Sequence, residues 1–203
     1  MEFSQDVLAH RDLCLDMEYL ATESYNRFVF DDQADARRVQ ACLFDAGVSD
    51  LSPPHGTVLL MGGEAMGVDS GFGWQRFAEL RAGAAVALAR AGMLRFDDAT
   101  MERMKLADQV LLKPSQGDYY ASRCAVRPDC QAGGLAVFLT RRRVDEATQQ
   151  GYRRYVGEIE SSVKPMLRIC LEGLGFEQIG VKRADDPITG RSLEMVHVVR
   201  NLH

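Results

Sequence analysis

The stretch DYYASRCAVRPDCQAGGLAVFLTRRR, Asp118 to Arg143, constrains the fold more than any other part of the chain. It opens as a β-branched and aromatic run, breaks at Pro128, reaches the pair Gly133-Gly134 and passes directly into an apolar-periodic segment ending in three arginines. That order predicts a strand, a turn and a helix start. Glycines at such a junction let backbone come close to a ligand, and the first unpaired N–H groups of the helix point at whatever sits there, most often a phosphate or pyrophosphate. A glycine pair before a helix also serves an ordinary positive-φ turn, so the junction alone leaves both readings open.

The preceding chain alternates helical and strand periodicity. Val7, Leu8, Leu15, Tyr19, Leu20 and Phe28 recur at helical spacing, which predicts one or two amphipathic helices between Gln5 and Phe28. Asp31-Asp32 is placed to cap a further helix from about Gln33 to Ala46, with Gly47 as its stop. Ser49 to Gly56 reads as a loop, and His55 within it as a solvated loop histidine. Thr57–Met61 and Glu64–Val68, joined by Gly62-Gly63, form a strand hairpin. Residues 73–110 return to helix, with Asp97-Asp98 capping its second half.

Beyond the central stretch, a strand is expected at Arg153–Glu160 and a helix from Pro165 to Leu174, ending at Gly175. Phe176–Val181 and Leu193–Val199 read as a closing pair of strands around the turn DDPITG. A chain of 203 residues holds one domain with a proper core. Its net charge of −5 supplies no global attraction for nucleic acid or an anionic membrane. No apolar run approaches a membrane span, and the N-terminus lacks a signal-peptide pattern. Five scattered cysteines with no C-x-x-C pair, and four dispersed histidines, indicate neither a disulfide framework nor a metal site, and fit a reducing cytoplasm.

With the order of elements set out, the second half resembles the GNAT N-acetyltransferase superfamily. Val126 to Ala136, VRPDCQAGGLA, is similar to the signature V-x-P-x-x-[RQ]-x-x-G-x-[GA], with Gln131, Gly134 and Ala136 on its defining positions. GYRRYVGEIE (151–160) and LEGLGFEQIG (171–180) resemble the elements that follow it, so the likeness covers about residues 57–200. It implies an α/β (α+β) fold: a mixed, mostly antiparallel sheet flanked by helices on both faces, with a V-shaped cleft at the signature strand. Residues 1–50 then form a helical N-terminal part and residues 73–110 a helical insertion within a single domain.

The resemblance also implies a donor, acetyl-CoA or another acyl-CoA carrying a phosphopantetheine thioester. Cys124, Ala125 and Val126 would hold its arm by their backbone. Gln131, Ala132, Gly133, Gly134, Leu135 and Ala136 would cradle the pyrophosphate. An amine would attack the thioester directly, with no covalent enzyme intermediate and no metal. Three departures from the family pattern stand out. Leu171 replaces a frequent tyrosine acid, Lys164 replaces a frequent asparagine near the pantetheine, and Ser122 replaces a frequent acidic residue beside the acceptor. Glu160 is an acid where the next strand is commonly apolar. Glu160, Ser122 and Tyr120 are therefore the candidate catalytic residues.

Three readings follow. The first is an N-acyltransferase acting on the amine of a small molecule. The second keeps the chemistry but draws the acyl group from an acyl carrier protein in small-molecule biosynthesis, docked on Arg141, Arg142, Arg143, Arg153 and Arg154. The third is a non-catalytic CoA-binding module. For Arg141–Arg143 the default is a solvated helix face. The 73–110 segment is open to roles as a lid, a pocket wall, a docking face or a homodimer contact.

Overall fold

The computed structural model describes residues 1–93 and 95–202, and of Ala132 the backbone only. Seven strands form one sheet in the order β1-β2-β3-β4-β5-β7-β6. They are β1 Glu2–Ser4, β2 Gly56–Met61, β3 Glu64–Gly73, β4 Asp118–Val126, β5 Arg154–Glu160, β6 Glu177–Asp185 and β7 Ser192–Asn201. All neighbouring pairs are antiparallel except β4 and β5. The central hairpin is longer than its apolar run suggests, because Asp69 and Ser70 are buried strand residues whose partners lie far along the chain.

Among the described residues, seven α-helices cover the two faces: α1 Arg11–Ala21, α2 Glu23–Val29, α3 Gln33–Asp45, α4 Trp74–Arg90, α5 Asp98–Val110, α6 Leu135–Gln149 and the short α7 Lys164–Arg168. Their starts follow from local chemistry. The side chain of Asp32 accepts from the N–H of Ala34 at the start of α3, and that of Asp97 from Thr100 N–H at the start of α5. α3 is followed by Gly47 at φ +70°, a conformation that suits glycine. α7 is shorter than the sequence predicts: it passes into a π-turn, Ile169–Gly173, before Gly175. With Pro165 in its first turn and no side-chain cap, it has only five α-helical residues.

Helices α1 to α5 lie on one face, hereafter the N-terminal face. There Phe72, Leu80, Leu112, Tyr120, Val156 and Val199 pack together, beside Phe28, Val29, Val39 and Val110. On the opposite face α6 and α7 cover Tyr119, Val144, Tyr155, Val196 and Val198. No helix among the described residues is long and apolar enough to cross a membrane.

Candidate active site

β4 and β5 pair only over Asp118–Ala121 against Arg154–Gly157. Past those residues β4 stays hydrogen-bonded to β3 as far as Val126, and β5 to β7 as far as Glu160, so the two parallel strands part into a fork. The β4 edge facing the gap therefore lacks a strand partner along its last residues, including Cys124, Ala125 and Val126. Such an edge holds backbone donors and acceptors ready for an extended ligand.

One end of the fork runs into the signature turn. Pro128–Gly133 forms a 3-10 turn, Gly134 sits at φ +71°, and α6 begins at Leu135 with no side chain capping it. The first backbone bond of the helix is from Phe138 N–H to the Gly134 carbonyl, at 3.2 Å. The preceding N–H groups of the first turn are therefore free for an anion. Gly133 and Gly134 are exposed, whereas Leu135 is buried among Leu59, Val126 and Leu139 and ties the loop to the core. Gln131 is exposed, and its amide reaches the Val126 carbonyl at 3.4 Å. Ala136 is half-buried beside Leu135, and the side chain of Ala132 lies outside those described. Lys164 is exposed at the start of α7. A cavity of about 390 Å³ lies between α6 and the α7 π-turn, lined by Val137, Arg141, Arg168, Ile169, Glu172 and Leu174.

The other side of the fork, on the N-terminal face, carries ionisable groups. A β-bulge places one extra β4 residue, Ser122, between Ala121, opposite Gly71, and Arg123, opposite Ser70. The extra residue shifts the alternation, so Arg123 shares a face with Tyr120. Ser122 Oγ donates to Asp50, and Arg123 lies 3.0 Å from the same carboxylate. Arg123 Nη1 also donates to the Ser122 carbonyl at 2.8 Å. Burial pulls the Arg123 pKa down, but Asp50 and Glu18 more than offset it and keep the guanidinium charged.

Across the gap stands Glu158, the first β5 residue past the paired segment. It accepts from the Tyr120 hydroxyl at 2.5 Å. Burial pushes its carboxyl up to about 7 against the opposing pull of Tyr120 and Arg123. Glu18 on α1 is buried too; both its oxygens accept from Ser49 Oγ, at 3.0 and 2.9 Å, and burial raises it to about 7. Burial, and then the Glu158 charge, lift the Tyr120 hydroxyl well above its ordinary range.

The three candidate catalytic residues are thus brought to one face, in unequal roles. Tyr120 is buried and engaged with Glu158, and Ser122 is the bulge residue bonded to Asp50. Glu160 lies two residues beyond Glu158 on the same side of β5 and accepts from Ser24 Oγ on α2 at 2.5 Å. Sequence reasoning passed over Glu158, Arg123, Asp50 and Glu18. Only Glu158 carried a usable signal, since alternation puts it on the same strand face as Glu160.

Two expectations are corrected. Arg143 is not on a solvated helix face: it is buried, donates to both oxygens of buried Asp69 at 2.9 and 2.8 Å, and reaches Thr57 at 3.0 Å and Glu146 at 3.0 Å. Of the other four arginines, Arg142 is half-buried and stacks over Phe3 at 4.2 Å, whereas Arg141, Arg153 and Arg154 are exposed, Arg154 paired with Asp118 at 2.7 Å. His55 is not simply solvated: it is half-buried against Phe72, and its Nε2 accepts from Arg76 Nε at 2.9 Å. Among the described residues no group of His, Cys, Asp or Glu is arranged to hold a metal ion.

No family model matches the sequence. No curated relative matches it either. Solved structures do. An N-acetyltransferase from Staphylococcus aureus Mu50 is 11% identical, with 98% of this chain and 100% of that one covered and a TM-score of 0.69. The protein called SsHAT is 19% identical over 98% and 97% of the two chains, with a TM-score of 0.67. A ribosomal-protein-alanine N-acetyltransferase from Brucella melitensis is 14% identical over 100% of each chain, at 0.57. The fold is that of the GNAT acetyltransferases.

Proposed function

We propose that this protein is an N-acyltransferase that moves an acyl group from an acyl-CoA thioester to an amine. The observation that carries the reading is the fork. One strand edge is left without a partner, an uncapped helix start lies at one end, and a half-buried carboxyl with a pKa near 7 stands beside the other. The acetyl-transfer activities named for the structural neighbours agree with it.

In this reading the α6 N-terminus holds the pyrophosphate, and the open β4 edge from Cys124 to Val126 holds the pantetheine arm. Glu158 takes the proton of the acceptor ammonium, for which a pKa near the working pH is well suited. The freed nitrogen attacks the thioester carbonyl, and a backbone N–H of the β4 edge bonds the oxyanion. Collapse breaks the C–S bond; the nitrogen gives up its second proton to solvent and the thiolate takes one from solvent, since Leu171 stands where a tyrosine acid is frequent in the family.

The test is incubation of the protein with acetyl-CoA, longer acyl-CoAs or an acyl-loaded carrier protein and a broad amine panel, following free CoA and N-acyl product by mass spectrometry. One equivalent of CoA per N-acyl product is expected. Tight CoA binding by calorimetry without transfer to any amine would instead assign a binding module, a reading that Leu171 favours.

A further inference from the structure

A cleft of about 440 Å³ opens where α1, α2 and the start of α3 meet the turn between β6 and β7, with Tyr19, Asn26, Arg27, Phe30, Asp31 and Arg191 in its lining. Ser24, which meets Glu160 at the fork, and Asn26 are two residues apart and so project from opposite sides of α2. The cleft therefore lies on the side of α2 turned away from the fork. Tyr19 and Asn26 in its wall are buried, at 7% and 4% exposed, and Arg37 braces the Tyr19 ring from one face at 4.5 Å. Yet the Tyr19 hydroxyl has no hydrogen-bond partner. Its polar neighbours are spent on one another: the amides of Asn26 and Gln40 both donate to Thr22 Oγ1, at 2.9 and 3.0 Å, and that hydroxyl donates to the Glu18 carbonyl. Gln40 Oε1 is unpartnered too and is not bonded to Tyr19. Unmade bonds on shielded polar atoms are expensive, and in native proteins they mark a missing ligand or water.

The cations of the cleft are also incompletely used. Arg27 is held through Nη2 alone, by Glu23 at 2.5 Å. Arg191 donates through Nη1 to the Phe30 carbonyl at 3.1 Å and pairs through Nη2 with Asp31 at 2.7 Å. Nε and Nη1 of Arg27 and Nε of Arg191 thus have no partner among the described residues. Both oxygens of Asp31, by contrast, are taken, Oδ1 by Arg191 and Oδ2 by buried Arg103 at 2.9 Å. The spare capacity on the charged groups is donor capacity, so the ligand must bring acceptors. Charge limits how many. Arg27 and Arg191 each face one carboxylate already, and a guanidinium can serve two, as Arg103 does between Asp31 and Asp186, at 2.9 and 3.9 Å. One added negative charge is matched in this way, and a dianion is not. The rings of Tyr19 and Phe30 give the cleft apolar wall. We propose that the cleft binds a small organic carboxylate with an apolar body, its oxygens accepting from the Tyr19 hydroxyl and from the guanidiniums of Arg27 and Arg191.

The experiment titrates the full chain with benzoate and with phenylacetate, followed by calorimetry and ligand-observed NMR, beside benzamide as the neutral isostere and inorganic phosphate as the compact anion. The carboxylates are expected to bind with a Kd of about 1 mM or tighter and about tenfold better than benzamide. Tyr19→Phe removes a hydroxyl that has no partner to lose, so the variant should keep its melting temperature while carboxylate binding weakens about fivefold. Unchanged carboxylate binding in that folded variant would overturn the proposal, as would benzamide equal to benzoate or no binding of either carboxylate. Phosphate tighter than both carboxylates would overturn the ligand class. Displacement of a bound carboxylate by acetyl-CoA would overturn the location, by placing the ligand at the fork.

Discussion

Two ionic clusters lie on opposite faces of the sheet around β4, and only in one of them, at Arg143 and Asp69, does the central pair have every atom bonded, although Arg142 Nη1 beside it, 3.7 Å from Asp69, has no hydrogen-bond partner. On the α6 face, Asp69 and Arg143 are both about 3% exposed, and the guanidinium is met by Asp69, Thr57 and Glu146. On the N-terminal face the groups are less buried, with Arg123 and Asp50 22% and 24% exposed, and Arg123 and Glu158 each retain an unbonded atom. The residue types are alike, and what differs is burial and how completely the central charged groups are bonded. A buried ion pair whose every atom is satisfied fixes one arrangement of the chain, whereas one left incomplete is destabilising by itself and useful to a ligand.

That contrast breaks most sharply at Arg143. Arg143→Ala strands the buried Asp69 carboxylate and should lower unfolding stability by about 3–5 kcal/mol, measured as a shift in denaturant midpoint. The double change Arg143→Met with Asp69→Leu should recover most of that loss. A single-variant loss below about 1 kcal/mol would show that the closed cluster is no more structural than the open one.

On the open side the larger effect is catalytic. Glu158→Gln keeps the shape but cannot take a proton, and should lower kcat about a hundredfold, about 3 kcal/mol in the barrier. In the wild type, kcat/KM should rise with pH through an inflection near 7, where the Glu158 carboxyl ionises; stopped or continuous assays over pH 5–9 should find that limb missing in the variant.

Stability should move the other way. The folded pKa of Glu158 lies above the ordinary carboxylate value of 4.5. Its protonated form therefore favours folding below about pH 4.5, and that contribution is lost as pH rises toward 7. Glu158→Gln should then leave stability near pH 4 unchanged and raise it at pH 8 by roughly 1–2 kcal/mol, discounted for partial exposure. Equal melting curves at both pH values would remove Glu158 from the list of groups held under tension.

The smallest effect is expected at the glycine turn before α6. Gly134 has φ +71° with open space where a Cβ would stand, so Gly134→Ala is strained but not clashing. It should cost about 1 kcal/mol in stability and raise the apparent KM for acyl-CoA severalfold, with kcat little changed.

The two sides of the fork also differed in how legible they were. The turn side is local: Pro128, the glycine pair and the helix start lie within a few residues, so their order along the chain already specifies the turn. The ionisable side gathers Glu18, Asp50, Arg123 and Glu158 from four separated segments, and no spacing announces such a meeting. Arg143 misled for the same reason. A run of three arginines reads as solvated until a buried aspartate 74 residues earlier is found beside one of them.

The sequence by itself determined the alternation of helices and strands, the strand-turn-helix junction at 118–143 and the way its glycines free the first N–H groups of α6. These depend on periodicity and turn chemistry, which act over a few residues. Tertiary structure decided which side chains face the fork. A single extra residue in β4 shifts the alternation, so Arg123 turns to the face that Tyr120 occupies. That shift is set by how β4 registers against β3, a property of two strands together that neither strand contains alone.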